Sequence, residues 1–292
     1  MKTCAKTRKI VPLVLALLLL FGGCSAVNRA AVFGTNGNET TRRQDVLTVE
    51  FLDVGQANAA LLTCGGKSLL IDGGNVADGA KVTRAVQAAT DRLDYVVNTH
   101  GHEDHVGGLP AVVDAVPVGQ AIVSPVTADS EYYRDFVDAL ADRGVTPVAG
   151  QAGMQFSLGD AKCTVLGPVA AGSDLNNSSL VLQVRFGGAT FLFMGDAGAE
   201  EERSLIQSGA DVSCDVLAVG HHGSDSATGY VFLRQALPKY AVISVGAGNR
   251  YGHPAESTLS RLRDAGCTVY RTDQSGTITI VTDKNGKIRC PA

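Results

Sequence analysis

The sequence predicts an α/β protein in which β-sheets pack on one another and helices lie outside them. Three observations carry the prediction. Residues 47–74 read as a meander of three short strands, the first alternating apolar and polar side chains. Downstream, brief β-branched apolar runs alternate with helix-spaced segments, the pattern of sheets covered by helices. Finally, all six histidines lie in three loops, and each loop follows an apolar strand. An α/β fold presents its chemistry there, beyond the ends of its strands.

The first residues read as a targeting segment. Lys2, Lys6, Arg8 and Lys9 precede an apolar run over 10–21, and Gly22-Gly23-Cys24 follows. That run is too short to span a bilayer comfortably, which takes ~20 apolar residues, so 1–23 reads as a secretory signal. A cysteine directly after two small residues is similar to a bacterial lipoprotein signal. The likeness implies lipidation of Cys24 and a membrane-anchored, extracytoplasmic protein. An ordinary signal peptide, giving a secreted protein, and an uncleaved anchor are the alternatives. Residues 24–45 are polar and aperiodic and read as a flexible tether, leaving 46–292 as one domain. Cys64, Cys163, Cys214, Cys267 and Cys290 form no CxxC pair and sit in strand-like runs, so they read as core residues without a disulfide framework.

Along the domain, 47–54 alternates as a strand, 59–64 pairs back on it, and Gly65-Gly66 turns the chain into a third strand over 67–74. A helix over 80–89 leads to a buried strand over 93–98. Helix 109–116, strand 120–124 and helix 130–143 follow. Strands recur at 155–158, 162–166, 179–186 and 190–194. The chain closes with helix 200–208, strand 216–219, helix 230–236, strand 241–245, helix 255–265 and a final hairpin ending near Ile288.

The densest chemistry lies in Thr99-His100-Gly101-His102-Glu103-Asp104-His105, with three of the six histidines and two carboxylates in seven residues. Imidazole suits zinc, iron and manganese, and carboxylate oxygen suits the harder of these, so the mixture points to divalent metal. Gly195-Asp196 ends a second apolar strand, and His221-His222-Gly223-Ser224 ends a third. Asn249-Arg250-Tyr251-Gly252-His253-Pro254 places the last histidine in a loop, and Asp174-Leu175-Asn176-Asn177-Ser178-Ser179 reads as a polar turn before a strand.

The ordered set resembles the metallo-β-lactamase superfamily: Asp72 in Leu-Ile-Asp-Gly-Gly, His100-x-His102-x-Asp104-His105, Gly195-Asp196, then His221-His222-Gly223-Ser224. Within it, Phe51-Leu52-Asp53-Val54-Gly55-Gln56, Asn176-Asn177-Ser178-Ser179 and Tyr251-Gly252-His253-Pro254 resemble the hydrolase domain of competence DNA-uptake channel proteins. The resemblance spans roughly 46–280. It implies an αββα four-layer sandwich, two mixed β-sheets flanked by helices, with two divalent metal ions, zinc or manganese, at one edge. It assigns His100 and His102 to the first ion, Asp104 and His105 to the second, and Asp196 as a bridge. His221 is favoured to complete the second ion, with His222 as the alternative and the other of the pair as proton donor. Asp72 orients the histidine loop, and Asn177, Ser178 and Ser224 stand near the metals or the substrate. His253 contacts a phosphate or protonates the leaving oxygen.

Two departures qualify the likeness. The superfamily's usual third histidine on the first metal falls where this chain has Asn176-Asn177-Ser178, which argues against lactamase activity, leaves that ion held by Asn177 or water, and raises manganese as a rival to zinc. Asn58 stands where the uptake group shows Asp. The implied function is a phosphodiesterase or nuclease acting on extracytoplasmic DNA through a metal-bound hydroxide, with a separate uptake channel as a possible partner. A net charge of −4 argues against strong tracking of phosphates. The alternatives are hydrolysis of a smaller ester, of cell-wall or phosphocholine type, and a non-catalytic DNA-binding module.

Overall fold

The computed structural model describes residues 46–291. The expected signal, Cys24 and the tether fall outside the described residues. Among the described residues, no helix is long and apolar enough to cross a membrane, and the five cysteines found there are free thiols.

The first half of the chain runs β1 (Val46–Phe51), β2 (Ala60–Cys64), β3 (Lys67–Ile71), α1 (Gly79–Ala89), β4 (Leu93–Asn98), α2 (Glu103–Val106), α3 (Leu109–Ala115), β5 (Val118–Val123), α4 (Glu131–Asp142) and β6 (Val148–Ala149). The second runs β7 (Gln155–Leu158), β8 (Ala161–Gly167), β9 (Val181–Phe186), β10 (Ala189–Phe193), α5 (Ala199–Ser208), β11 (Val216–Ala218), α6 (Tyr230–Ala236), β12 (Tyr240–Ile243), α7 (Glu256–Asp264), β13 (Thr268–Arg271), α8 (Thr272–Ser275), β14 (Ile278–Asp283) and β15 (Ile288–Arg289). They form an eight-stranded sheet in the order β15-β14-β1-β2-β3-β4-β5-β6 and a seven-stranded sheet in the order β13-β12-β11-β10-β9-β8-β7. Both sheets are mixed. Most antiparallel neighbours follow one another in the chain, with β14 returning to pair with β1, whereas the parallel runs β3–β6 and β10–β13 require crossovers, which the helices supply.

Strand alternation builds the layers. Leu47, Val49 and Phe51 of β1 face Phe191 and Phe193 of β10 across the space between the sheets, and the Phe51 and Phe193 rings stack at 5.8 Å. The opposite faces are covered by helices. Val82 and Val86 of α1, Leu109 and Val112 of α3, and Phe136 and Leu140 of α4 pack on Leu61, Leu70 and Val96. Leu205 of α5, Phe232 of α6 and Leu262 of α7 pack on Leu192 and Leu217. Helix, sheet, sheet and helix give the αββα sandwich.

Three local readings change. The strand expected from 179 begins at Val181, because 176–178 form a 3-10 turn instead. The edge strand β6, two exposed residues long, has too little apolar pattern to be seen in sequence. The closing hairpin is preceded by β13, a half-buried strand parallel to β12, and β14 then crosses to pair with β1.

The topology matters because β3 and β4 of one sheet, and β10, β11 and β12 of the other, all end at the same edge of the sandwich. The loops that leave those ends carry Asp72, the 99–105 run, Asp196, His221-His222 and His253.

Candidate metal centre

The centre is built upward from Asp72. It ends β3 with φ 57°, a left-handed conformation that Asp tolerates better than most residues, and its side chain is fully buried. Oδ1 accepts from the Thr99 backbone N–H (2.8 Å) and Asn98 Nδ2 (3.2 Å), and Oδ2 accepts from Thr99 Oγ1 (2.7 Å) and His105 Nδ1 (2.8 Å). One carboxylate therefore ties both ends of the histidine loop to the strand beside it. With Nδ1 of His105 donating to Asp72, its Nε2 is left as an acceptor.

That nitrogen faces Asp196 Oδ1 at 3.2 Å, and both atoms are buried without a hydrogen-bond partner. Held face to face out of water, the two atoms need a cation between them, a proton or a metal ion. His105, His100 and Asp196 bring one ligand atom each into a common space, and Asp104, His105 and His222 form an overlapping set. The donor set of imidazole nitrogens and carboxylate oxygens fits divalent metal.

Near the first set, His100 Nε2 lies 3.0 Å from His102 Nδ1 and 3.9 Å from Asp196 Oδ2. Near the second, Asp104 Oδ2 lies 3.2 Å from His222 Nε2, which is in turn 3.7 Å from Asp196 Oδ1. His222 is oriented by its Nδ1, which donates to the Ser244 carbonyl at 3.0 Å. Electrostatics are consistent with an anion–cation lattice. Burial favours the neutral forms of Asp196 and Asp104, yet His105 and His222 outweigh it and hold both carboxyls below the usual range. Conversely, burial disfavours charge on His105 and His222, and the facing carboxylates raise both above an ordinary imidazole.

The structure places several of the expected residues differently. His222, not His221, stands with Asp104 and His105. Both residues adopt left-handed backbone, φ 52° and 53°, in a tight 3-10 turn, and this geometry sends the two rings apart. His221 Nε2 instead lies 3.8 Å from Asp196 Oδ2, on the His100 side, with Asn176 Nδ2 at 3.5 Å. Asn177 does not reach the centre: its Nδ2 donates to Asp174 Oδ1 and its Oδ1 accepts from the Gly198 N–H. Ser178 is likewise turned away, donating to the Asp174 carbonyl and accepting from the Gly172 N–H. Ser224 braces the loop through Ser226 Oγ (2.9 Å), and Ser226 is the residue next to His221 Nδ1, at 3.4 Å. His253 lies beside the centre, its ring centroid 5.7 Å from that of His221; burial and the neighbouring His221 and His222 lower its pKa.

Sequence reasoning passed over Thr99, Asn176, Ser179 and Ser226. Ser179 Oγ accepts from the Asp196 N–H (3.1 Å) and lies 3.3 Å from His100 Nδ1. Its polarity beside Ser178 carried no signal, since only the onset of β9 at Val181 decides which serine faces inward.

Residues 52–247 match the profile of the metallo-β-lactamase superfamily. ComE operon protein 3 of Bacillus subtilis is 34% identical over 188 residues, covering 64% of this chain and 24% of that protein. Competence protein ComA of Neisseria gonorrhoeae is 33% identical over 238 residues, 80% of this chain and 32% of its own length. Recombination protein 2 of Haemophilus influenzae is 31% identical over 240 residues, 80% and 28%. The chain thus spans about a quarter to a third of the length of these relatives. Among solved structures, the metallo-β-lactamase fold protein YhfI from Bacillus subtilis aligns with a TM-score of 0.56 at 14% identity, over 85% of this chain and 100% of its own. CmlA, a diiron β-hydroxylase from Streptomyces venezuelae, aligns with a TM-score of 0.51 at 16% identity, over 78% and 53%. At such identities the likeness is one of fold.

Proposed function

This chain belongs to the metallo-β-lactamase superfamily, and on that premise we propose that it is a two-metal phosphodiesterase that cleaves DNA outside the cytoplasm, held at the membrane by a lipid on Cys24. The observation that carries the catalytic reading is the facing pair His105 Nε2 and Asp196 Oδ1, buried without a hydrogen-bond partner and joined by ligand atoms from both sheets. The DNA reading draws on the competence relatives, and a separate uptake channel is the partner it implies.

In this reading His100, His102, Asp196 and His221 would hold the first ion, so that His221 would stand in for the missing third histidine. Asp104, His105 and His222 would hold the second, with Asp196 close to both sets. Zinc and manganese both suit this set. When bound, such ions lower the pKa of a water toward neutrality and neutralise charge on a phosphoryl oxygen. The chain's own residues supply the rest. Asp72 and the Ser244 carbonyl fix the His105 and His222 tautomers, and Ser179 fixes Asp196. The depressed pKa of Asp104 keeps it ionised at any working pH. His253, held neutral by its lowered pKa, donates a hydrogen bond to a substrate oxygen.

The test is cleavage of single-stranded and plasmid DNA by the full chain, with manganese or zinc added and after chelation. Metal-dependent cleavage is expected, reduced to the chelated background by Asp104→Ala and by Asp196→Ala. Turnover of small phosphodiesters without DNA cleavage would replace the nuclease reading with the small-ester one. DNA retention without any turnover would leave a binding module.

A further inference from the structure

Beside the metal centre runs an open groove of ≈ 470 Å³, lined by Asp104 and Glu103, by Arg250 and Tyr251, and by the amides of Gln56 and Asn75. Tyr251 is 57% exposed, unusual for a large aromatic side chain that lines a groove. It does not stand alone. Its ring stacks on His253, 5.7 Å between centroids and 25° between planes, and His253 meets His221 edge-on at a further 5.7 Å. His221 in turn faces Asp196. A staircase of rings thus descends from solvent to the metal ligands.

The upper step is held in place by Asn249. Its Oδ1 accepts from the Tyr251 and His253 N–H groups, both at 3.1 Å, and its Nδ2 donates to the Gly246 (2.9 Å) and His253 (2.6 Å) carbonyls. Four bonds from one side chain set the loop before any ligand arrives. Arg250 lies 4.9 Å from the centre of the Tyr251 ring and donates to its hydroxyl at 2.7 Å. Among the described residues its guanidinium has no carboxylate partner. A preset, partly exposed tyrosine ring, backed by His253 and with a guanidinium over it, has the chemistry of a base-stacking site once Arg250 turns from the ring to a phosphate.

We propose that Tyr251 is a stacking platform for an unpaired nucleobase next to the scissile phosphate, with Arg250 on the adjoining phosphate, so that the enzyme selects single-stranded DNA. This rests on the nuclease reading above. A base in a duplex keeps both faces covered by its neighbours and has none to offer Tyr251.

The experiment uses the full chain and single-stranded oligonucleotides, either intact or carrying one abasic position stepped along the strand. In the wild type, removing the base beside the cleaved phosphate raises KM about tenfold, and duplex of the same sequence is the poorer substrate. Tyr251→Ala raises KM for the intact strand by a similar factor and becomes indifferent to the abasic position, whereas Tyr251→Phe, which keeps the ring but loses the hydroxyl that receives Arg250, retains the abasic contrast. Fluorescence anisotropy of the chelated chain on the same strands shows the same contrast without turnover. Arg250→Ala reduces the slope of log affinity against log salt by ~0.7, the loss of one phosphate contact on a single strand. Unfolding curves that coincide with wild type show that the variants fold. An unchanged KM in Tyr251→Ala, or an abasic penalty equal in wild type and variant, overturns the platform. Equal use of duplex overturns the strand selection. Failure of the nuclease reading looks different: the wild type itself cleaves no DNA while hydrolysing a small phosphodiester, and the platform falls with it.

Discussion

Asp72 illustrates how single residues set this centre. Its carboxylate receives four hydrogen bonds from Asn98, Thr99 and His105 while its backbone holds a left-handed turn. Asp72→Asn keeps the backbone preference and the size but gives Nδ2 a donor where His105 Nδ1 also donates. We expect metal affinity to fall roughly 10–100-fold, the usual cost of losing a carboxylate behind a ligating histidine, as read by competition with a chromogenic chelator. An unchanged affinity would show that His105 keeps its orientation unaided. The His221-His222 pair offers a sharper contrast. His222→Ala should leave one ion per chain after dialysis, with the Asp104 side emptied, because His222 is the imidazole that faces Asp104. Metal analysis that finds two ions in that variant would reverse the assignment.

At the scale of elements, α5 straps down the loops that flank the centre. Three glutamates occupy its first turn, where they also complement the helix dipole. Glu200 accepts from the Ser173 N–H (2.9 Å) and hydroxyl, Glu201 from the Val169 N–H (2.9 Å), and Glu202 from the Thr228 and Gly229 N–H groups. The segments so held lead into Asn176 on one side and follow His221-His222 on the other. Burial outweighs the Val169 N–H and pushes Glu201 up from 4.5 to about 7. Because the folded value is the higher one, the folded chain binds the proton more tightly. The associated stability is fully present below pH 4.5 and is lost as pH rises through about 7. Glu201→Gln removes that dependence. Urea unfolding in chelator should therefore show wild type losing stability relative to the variant between pH 5 and 8, by at most ~3 kcal/mol. Midpoints that run parallel across that range would contradict the account.

At the scale of the whole molecule, the centre is a seam between two sheets. Asp72 and the 99–105 loop leave β3 and β4, while Asp196, His221 and His222 leave β10 and β11. An ion bound there joins the two halves of the sandwich, so metal should report on global stability and not on local order alone. At 100 times its dissociation constant, an ion is worth ~2.7 kcal/mol, roughly 5–10 °C in Tm for a domain of this size. Chelation should remove that increment, and Asp196→Ala should abolish it. An equal Tm with and without metal would mean that the ion does not distinguish folded from unfolded chain. Much of this plan was legible beforehand. Apolar periodicity located Gln155–Leu158 and Tyr230–Ala236 to the residue, and the six histidines marked the strand ends that carry the site, because strand burial and metal chemistry both leave compositional traces. Directions of neighbouring side chains leave none. Whether His221 or His222 meets Asp104, and whether Asn176 or Asn177 turns inward, depends on backbone torsions in two tight turns. So does the choice between Ser178 and Ser179. By itself the sequence determined the sandwich and the ligand types; the tertiary structure alone decided which neighbour faces which, since torsions set by long-range packing, not residue identity, aim those atoms.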